Sequence, residues 1–285
     1  MKLAYHGATH MPSSLETDVQ VSNKAGFVAL EVWAAKIDKF LENNSIETLQ
    51  KLFKDNNVEP TAINSIEFIG FRGDQYPMIQ DRCKQLCEIG QAIGCEALVV
   101  VPSPTPKAEG GSVLELFFPW EKIVDESVTV LNDLGDIAKP HDIKLAFEFI
   151  GFPWCTVRTP RGAYEIIQKT DHPNVAMNLD CCHFYGGGGQ IDEIDTLDPA
   201  KILTFHLNDL EDVAKEAITD SHRLLPGFGV IDLDEICKRV KAIGYNGVCA
   251  IELFRKEYWD WDPLELAQKT KEESLKILNK YFDVE

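Results

Sequence analysis

The stretch IKLAFEF, Ile143 to Phe149, is apolar with little alternation and carries Glu148 near its end. A strand with one face in water alternates, whereas a strand covered on both faces reads as a continuous apolar run, so this segment is expected inside a parallel sheet. Three later runs have the same form: VAMNLD (Val175 to Asp180), ILTFH (Ile202 to His206) and GVCAIEL (Gly247 to Leu253). Each closes on an ionisable residue, Asp180, His206 or Glu252. In a closed eight-stranded parallel barrel the carboxyl ends of the strands open into one mouth, where Glu148, Asp180, His206 and Glu252 are expected to meet.

The rest of the chain continues the alternation. Earlier strand signals lie at Lys2 to His6, Ala29 to Trp33, Pro60 to Asn64 and Ala97 to Pro102. Helical patterns lie at Leu15 to Lys24, Ile46 to Asn56, Met78 to Ile93, Trp120 to Ala138, Pro160 to Lys169, Leu233 to Ile243 and Pro263 to Phe282. The sixth connection, Ile191 to Ala200, reads only weakly as helix. Eight strand signals joined by crossovers predict a single (β/α)8 barrel over residues 1–285, with α/β architecture. Gly26, Gly94 and Gly244 stand where helices should stop, a position that favours a left-handed residue. The most loop-like stretch is Pro102 to Pro106 with Gly110 and Gly111, followed by Phe117, Phe118 and Trp120. Coming after strand four, it belongs either beside the mouth or to a surface excursion anchored by aromatic residues.

Composition excludes several classes. With 46 acidic against 28 basic residues, the net charge of −18 repels a phosphate backbone, so nucleic acid is not an expected partner. No apolar stretch is long enough to span a membrane, and MKLAYHGATH lacks the apolar region of a signal peptide, so a cytoplasmic protein is expected. The eight cysteines form no paired zinc-type motif and are expected to be reduced. Cys181 and Cys182 point apart on an extended segment, and Cys83 and Cys87 share a helical face; none is assigned a function. Monomer and homo-oligomer are left open.

Three carboxylates and one imidazole suit one divalent cation, Mn²⁺, Zn²⁺, Co²⁺ or Mg²⁺, with positions left for substrate oxygens. A single glutamate at a strand end is more often a salt bridge or loop cap. Four such groups in one mouth are harder to explain that way, because without a cation like charges would force at least one carboxylate to protonate.

The quartet, the Asp-x-x-His of Asp180 to His183 and the Pro-Gly-x-Gly-x-Ile-Asp of Pro226 to Asp232 resemble the xylose-isomerase-like barrel superfamily of metal-dependent sugar isomerases and epimerases. Within it, KLAYHGAT, ALEVW, TAINS, ALVVVPSPT, FEFIGFPWCTV, DCCHFY, HLNDLED, RLLPGFGVIDLD and IELFRKEY are similar to the inosose isomerases of inositol catabolism, over nearly the whole chain. FEFIG-x-P-x-CTV and ELFR-x-EY point to that narrower group. The resemblance implies metal ligation by Glu148, Asp180, His206 and Glu252, with Glu148 and Glu252 also acting as acid and base. It implies interconversion of 2-keto-myo-inositol and 1-keto-D-chiro-inositol through an enediolate, with no organic cofactor and a small neutral keto-polyol as partner.

In relatives, positions matching His183 and Arg223 contact substrate; the bland readings are a packing histidine and a solvated loop arginine. His6, Glu31 and Asn64 end strands one to three and either line the mouth or bond within the barrel floor. Trp33, Trp154 and Phe254 are candidate apolar walls, though aromatics are usually core, and Arg255 is placed to pair with Glu252 or an acidic loop residue. Rival activities on the same scaffold are a ketose 3-epimerase, a hydroxypyruvate isomerase and an inosose dehydratase. An apurinic-site endonuclease is disfavoured because its further histidine ligands are missing from NSIEF and VPSPT, and a non-catalytic sugar binder would leave two ligand carboxylates surplus.

Overall fold

A computed structural model describes residues 1–106 and 118–285. The strands are β1 (Lys2–His6), β2 (Ala29–Trp33), β3 (Glu59–Ile66), β4 (Ala97–Val100), β5 (Lys144–Glu148), β6 (Val175–Asp180), β7 (Ile202–His206), β8 (Asp209–Leu210), β9 (Arg223–Leu224) and β10 (Val248–Ile251). Eight of them close into a parallel barrel in the order β1-β10-β7-β6-β5-β4-β3-β2, while β8 and β9 form a small antiparallel pair beyond its end. The helices are α1 (Leu15–Ala25), α2 (Ala34–Leu41), α3 (Ile46–Asn56), α4 (Tyr76–Ile93), α5 (Trp120–Ala138), α6 (Pro160–Thr170), α7 (Cys181–Gly186), α8 (Leu233–Ala242) and α9 (Pro263–Leu278).

The unalternating runs have the expected cause. Their outward side chains pack under helices: Phe147 and Phe205 are fully buried, each contributing on the order of 1.5–3 kcal/mol by its burial. Their inward side chains are small low in the barrel. Ala4, Ala29 and Ala250 pack with Val248 in a cluster apart from the main apolar core. Two residues further along the same strands, on the same face, stand His6, Glu31 and Glu252. Ala146 and Thr204 precede Glu148 and His206 in the same way. Small residues below thus leave room for a polar layer above, and strand register brings that layer together, with His6 opposite Glu31 and Asp180 opposite His206.

Helix ends follow local chemistry. Ser14, Ser45 and Thr159 cap α1, α3 and α6 through their hydroxyls, and Asp232 and Asp262 cap α8 and α9. Gly26 (φ 81°) and Gly94 (φ 78°) end α1 and α4 in the left-handed region. The sixth crossover holds only the short α7 and two 3-10 turns, Ile191–Thr196 and Pro199–Lys201. Helix α2, absent from the sequence reading, is a short element directly after β2. Pro102 is a buried loop residue just past β4, whereas Gly110, Gly111 and Phe117 fall outside the described residues. Among the described residues no helix is long and apolar enough to cross a membrane.

Candidate active site

The barrel's carboxyl end gathers the quartet as expected. Ligand atoms of Glu148, Asp180, His206 and Glu252 all lie within 4.8 Å of one another. From His206 Nδ1 the distances are 3.4 Å to Glu148, 3.6 Å to Asp180 and 3.3 Å to Glu252. Bonds of about 2.1 Å to a tetrahedral ion would separate its ligands by roughly 3.4 Å, so these spacings fit a divalent cation. Glu148 Oε1 supports the same fit, since it is buried with no hydrogen-bond partner, a costly condition for a carboxylate oxygen that a cation would relieve.

Neighbouring side chains hold three of the four ligands. Both Glu31 oxygens lie 3.0–3.1 Å from His206 Nε2, which turns Nδ1 toward the carboxylates. His6 accepts the Ala8 amide at Nδ1, 3.0 Å away, so the proton sits on Nε2, facing Glu31 at 3.3 Å and Glu252 at 3.2 Å. Asn64 donates to Glu31 at 2.9 Å and to Glu252 at 3.2 Å. Asp180 is the N-cap of α7: Oδ1 accepts the His183 amide at 2.7 Å, so the Asp-x-x-His spacing is the spacing of a helix cap. Its Oδ2 accepts from Asn208 and Arg223, both at 2.7 Å.

Arg223 is fully buried, and the pairing of β8 with β9 places it opposite Leu210. All three guanidinium nitrogens are engaged: Nε with Asp220 (3.0 Å), one terminal nitrogen with Asp180 and with Glu252 (3.2 Å), the other with His183 Nε2 (3.0 Å). Receiving that bond, His183 carries its proton on Nδ1, which is buried without a partner. Burial lowers its pKa, so the ring is a neutral donor.

The electrostatics are asymmetric. Burial raises Glu148 to about 8, against the opposing pull of His206 and with help from Glu252. Burial also acts on Glu252, but His206, Arg223 and His6 outweigh it and hold it at about 2. Burial opposes charge on His206 too, yet Glu31 and Glu252 raise it well above the usual histidine range.

A cavity of about 240 Å³ opens over this cluster, lined by Glu148, Glu252, His183, Arg223, Asn64 and Asp220 and walled by Trp33, Phe68, Phe152, Trp154 and Phe254. Phe68 and Trp154 meet edge to face at 5.7 Å, and Phe152 packs on His183 at 5.0 Å. A larger groove of about 800 Å³ between α2 and α4 shares Trp33 and Asn64 but holds none of the quartet.

Of the two readings of His6 and Glu31, lining the mouth or bonding within the barrel, the structure fits the second. Both side chains are fully buried beside the quartet, with Glu31 held against His206 at 3.0 Å and His6 Nε2 3.3 Å from Glu31. Arg223 is no solvated loop arginine, and Arg255 pairs with Glu211 at 2.6 Å instead of Glu252. Asn208 and Asp220 were missed. Asn208 follows His206 by two residues, the period of one strand face, which was a usable signal; nothing local marked Asp220.

A family model described as xylose isomerase-like TIM barrel matches residues 19–281, and the chain belongs to that family. Within it, the chain is 33% identical to the inosose isomerase of Halalkalibacterium halodurans, over 100% of this chain and 99% of that protein. It is likewise 33% identical to the inosose isomerase of Bacillus subtilis over 100% of both. A crystal structure of IolI protein with a bound zinc atom superposes with a TM-score of 0.93 at 33% identity, covering 99% of this chain and 100% of that one.

Proposed function

We propose that the protein is an isomerase of keto-inositols, interconverting 2-keto-myo-inositol and 1-keto-D-chiro-inositol by proton transfer through an enediolate. The observation that carries this reading is the pairing of the quartet with a cavity whose arginine is already neutralised. Among the described lining residues Arg223 is the cation, and Asp180, Glu252 and Asp220 match its charge. Glu67 adds a further acidic group to the lining. Even with a divalent cation in the quartet, the carboxylates of Glu148, Asp180, Glu252 and Asp220 outnumber the three positive charges of the ion and Arg223, which disfavours a substrate carboxylate or phosphate, as in hydroxypyruvate and phosphorylated sugars. A neutral ring polyol has hydroxyls for His183 and Asn64 and C–H faces for Trp33, Trp154 and Phe254.

Glu148, Asp180, His206 and Glu252 would hold a divalent cation. When bound, it stabilises the negative charge that develops on vicinal substrate oxygens. The chain's own residues do the rest. The unpartnered His183 Nδ1–H is placed to donate to a substrate oxygen, and Arg223 keeps the His183 ring in the required tautomer. Glu148, lining the cavity, is a base within reach of an α-proton.

The test is a comparison of kcat/KM for 2-keto-myo-inositol, D-fructose and hydroxypyruvate with metal-loaded protein. The keto-inositol should exceed both by at least about 10²-fold, the scale of a substrate-specific hydrogen-bond set. A preference for hydroxypyruvate would reverse the charge argument.

A further inference from the structure

The two catalytic glutamates expected from the sequence are not equivalent in their surroundings. Glu252 is engaged on both oxygens: Oε1 accepts a hydrogen bond from Asn64 Nδ2 at 3.2 Å, and Oε2 forms an ion pair with Arg223 at 3.2 Å. Glu148 lines the same cavity, yet among the described residues its buried Oε1 accepts no hydrogen bond, and its ion-pair neighbour is His206 Nδ1 at 3.4 Å. To move a proton, Glu252 would have to give up the Asn64 hydrogen bond and the Arg223 ion pair, whereas Glu148 has only the looser His206 contact at 3.4 Å.

We propose that Glu148 alone carries the proton, removing it and returning it on one face of the ring, while Glu252 stays fixed as an anionic ligand. The proposal rests on the keto-inositol reading above, and the stereochemistry of that reaction requires removal and return on one face, which a single carrier satisfies. In 2-keto-myo-inositol every hydroxyl is equatorial, so each α-hydrogen is axial. When the carbonyl moves to the α-carbon, the former carbonyl carbon gains a hydrogen. Delivery from the opposite face would set its hydroxyl equatorial and regenerate the same all-equatorial inosose. Delivery from the face that lost the proton sets the hydroxyl axial, and this is 1-keto-D-chiro-inositol. A pair of carboxylates on opposite faces suits epimerisation at one carbon; a single carboxylate on one face suits this shift.

The step balances without an outside reagent. The α C–H bond breaks, its proton goes to Glu148, and its electron pair becomes the double bond of the enediolate. The same proton then forms the new C–H bond on the neighbouring carbon. The hydroxyl proton passes between the vicinal oxygens, so one oxygen becomes carbonyl and the other hydroxyl, and no group is oxidised or reduced overall.

The experiment uses metal-loaded, full-length protein and 2-keto-myo-inositol deuterated at both α-carbons, in ordinary water, sampled within the first turnover by NMR and mass spectrometry. Some of the 1-keto-D-chiro-inositol formed should carry deuterium on the former carbonyl carbon. Product formed with no deuterium there overturns the single-carrier path while leaving the isomerase reading intact. The absence of both product and label loss from substrate removes the isomerase reading, and the proposal with it. Glu252→Gln supplies a second readout. The slower variant should retain the same fraction of label in product, whereas loss of label from recovered substrate without product would make Glu252 the returning acid. Glu148→Gln should lose both label exchange and turnover by about 10²–10⁴-fold, the usual contribution of a positioned base.

Discussion

Binding of a divalent cation to the quartet should release protons, and the number follows from the site. In the metal-free protein burial holds Glu148 at about 8, so it is largely protonated near neutrality. His206 is protonated as well, kept so against its burial by Glu31 and Glu252. A cation requires the carboxylate and the neutral imidazole, so near pH 7 each ion bound should displace about two protons. Affinity for Mn²⁺ or Zn²⁺ should then rise by about 100-fold per pH unit below about pH 8, worth roughly 2.7 kcal/mol per unit, and by about 10-fold per unit above it. Calorimetric titration in buffers of different ionisation heat reads the proton count directly. The linked stability effect has a fixed sign. A folded value of about 8 lies above the model value of 4.5, so the stability Glu148 contributes to the metal-free protein is present below about 4.5 and is lost as pH rises through about 8. Metal binding with no proton release near pH 7 would refute this picture of the cluster.

Three other outcomes are expected. Glu31→Gln removes the carboxylate that orients His206 and should weaken metal binding by about 10–100-fold, measured by competition with a chelator. Arg223→Met strands Asp180 and Asp220 without their cation and should lower metal-free stability by about 3–5 kcal/mol in urea melts, with part of the loss recovered on metal loading. Lys36, buried on α2, donates to Asp18 at 2.6 Å and to the Gly7 and His10 carbonyls after β1. Burial already raises Asp18 to about 7 despite Lys36, so Lys36→Met should destabilise strongly at alkaline pH and progressively less as acid protonates Asp18; a pH-independent loss would contradict the pairing.

The barrel was legible because burial on both faces leaves a mark within each strand, as in IKLAFEF and ILTFH. The quartet was legible because a parallel barrel sends every strand end to one place, so four local features imply one cluster. Residue roles were harder to read. Whether Glu31 lines the mouth or supports it depends on His206, 175 positions away. Whether Arg223 is free depends on Asp180, Glu252 and Asp220, which only the fold assembles. The Asp-x-x-His motif carried its explanation locally, as a cap, but the tautomer of His183 did not, since the Arg223 contact sets it.

The central claim is that this acidic, metal-ready mouth isomerises a keto-inositol. The most direct measurement is an NMR time course of 2-keto-myo-inositol with the protein as purified, after chelation, and after divalent metal is restored. Appearance of 1-keto-D-chiro-inositol, its loss on chelation and its return with metal are predicted. Unchanged 2-keto-myo-inositol in the presence of saturating metal, or full turnover by the chelated protein, would contradict the account.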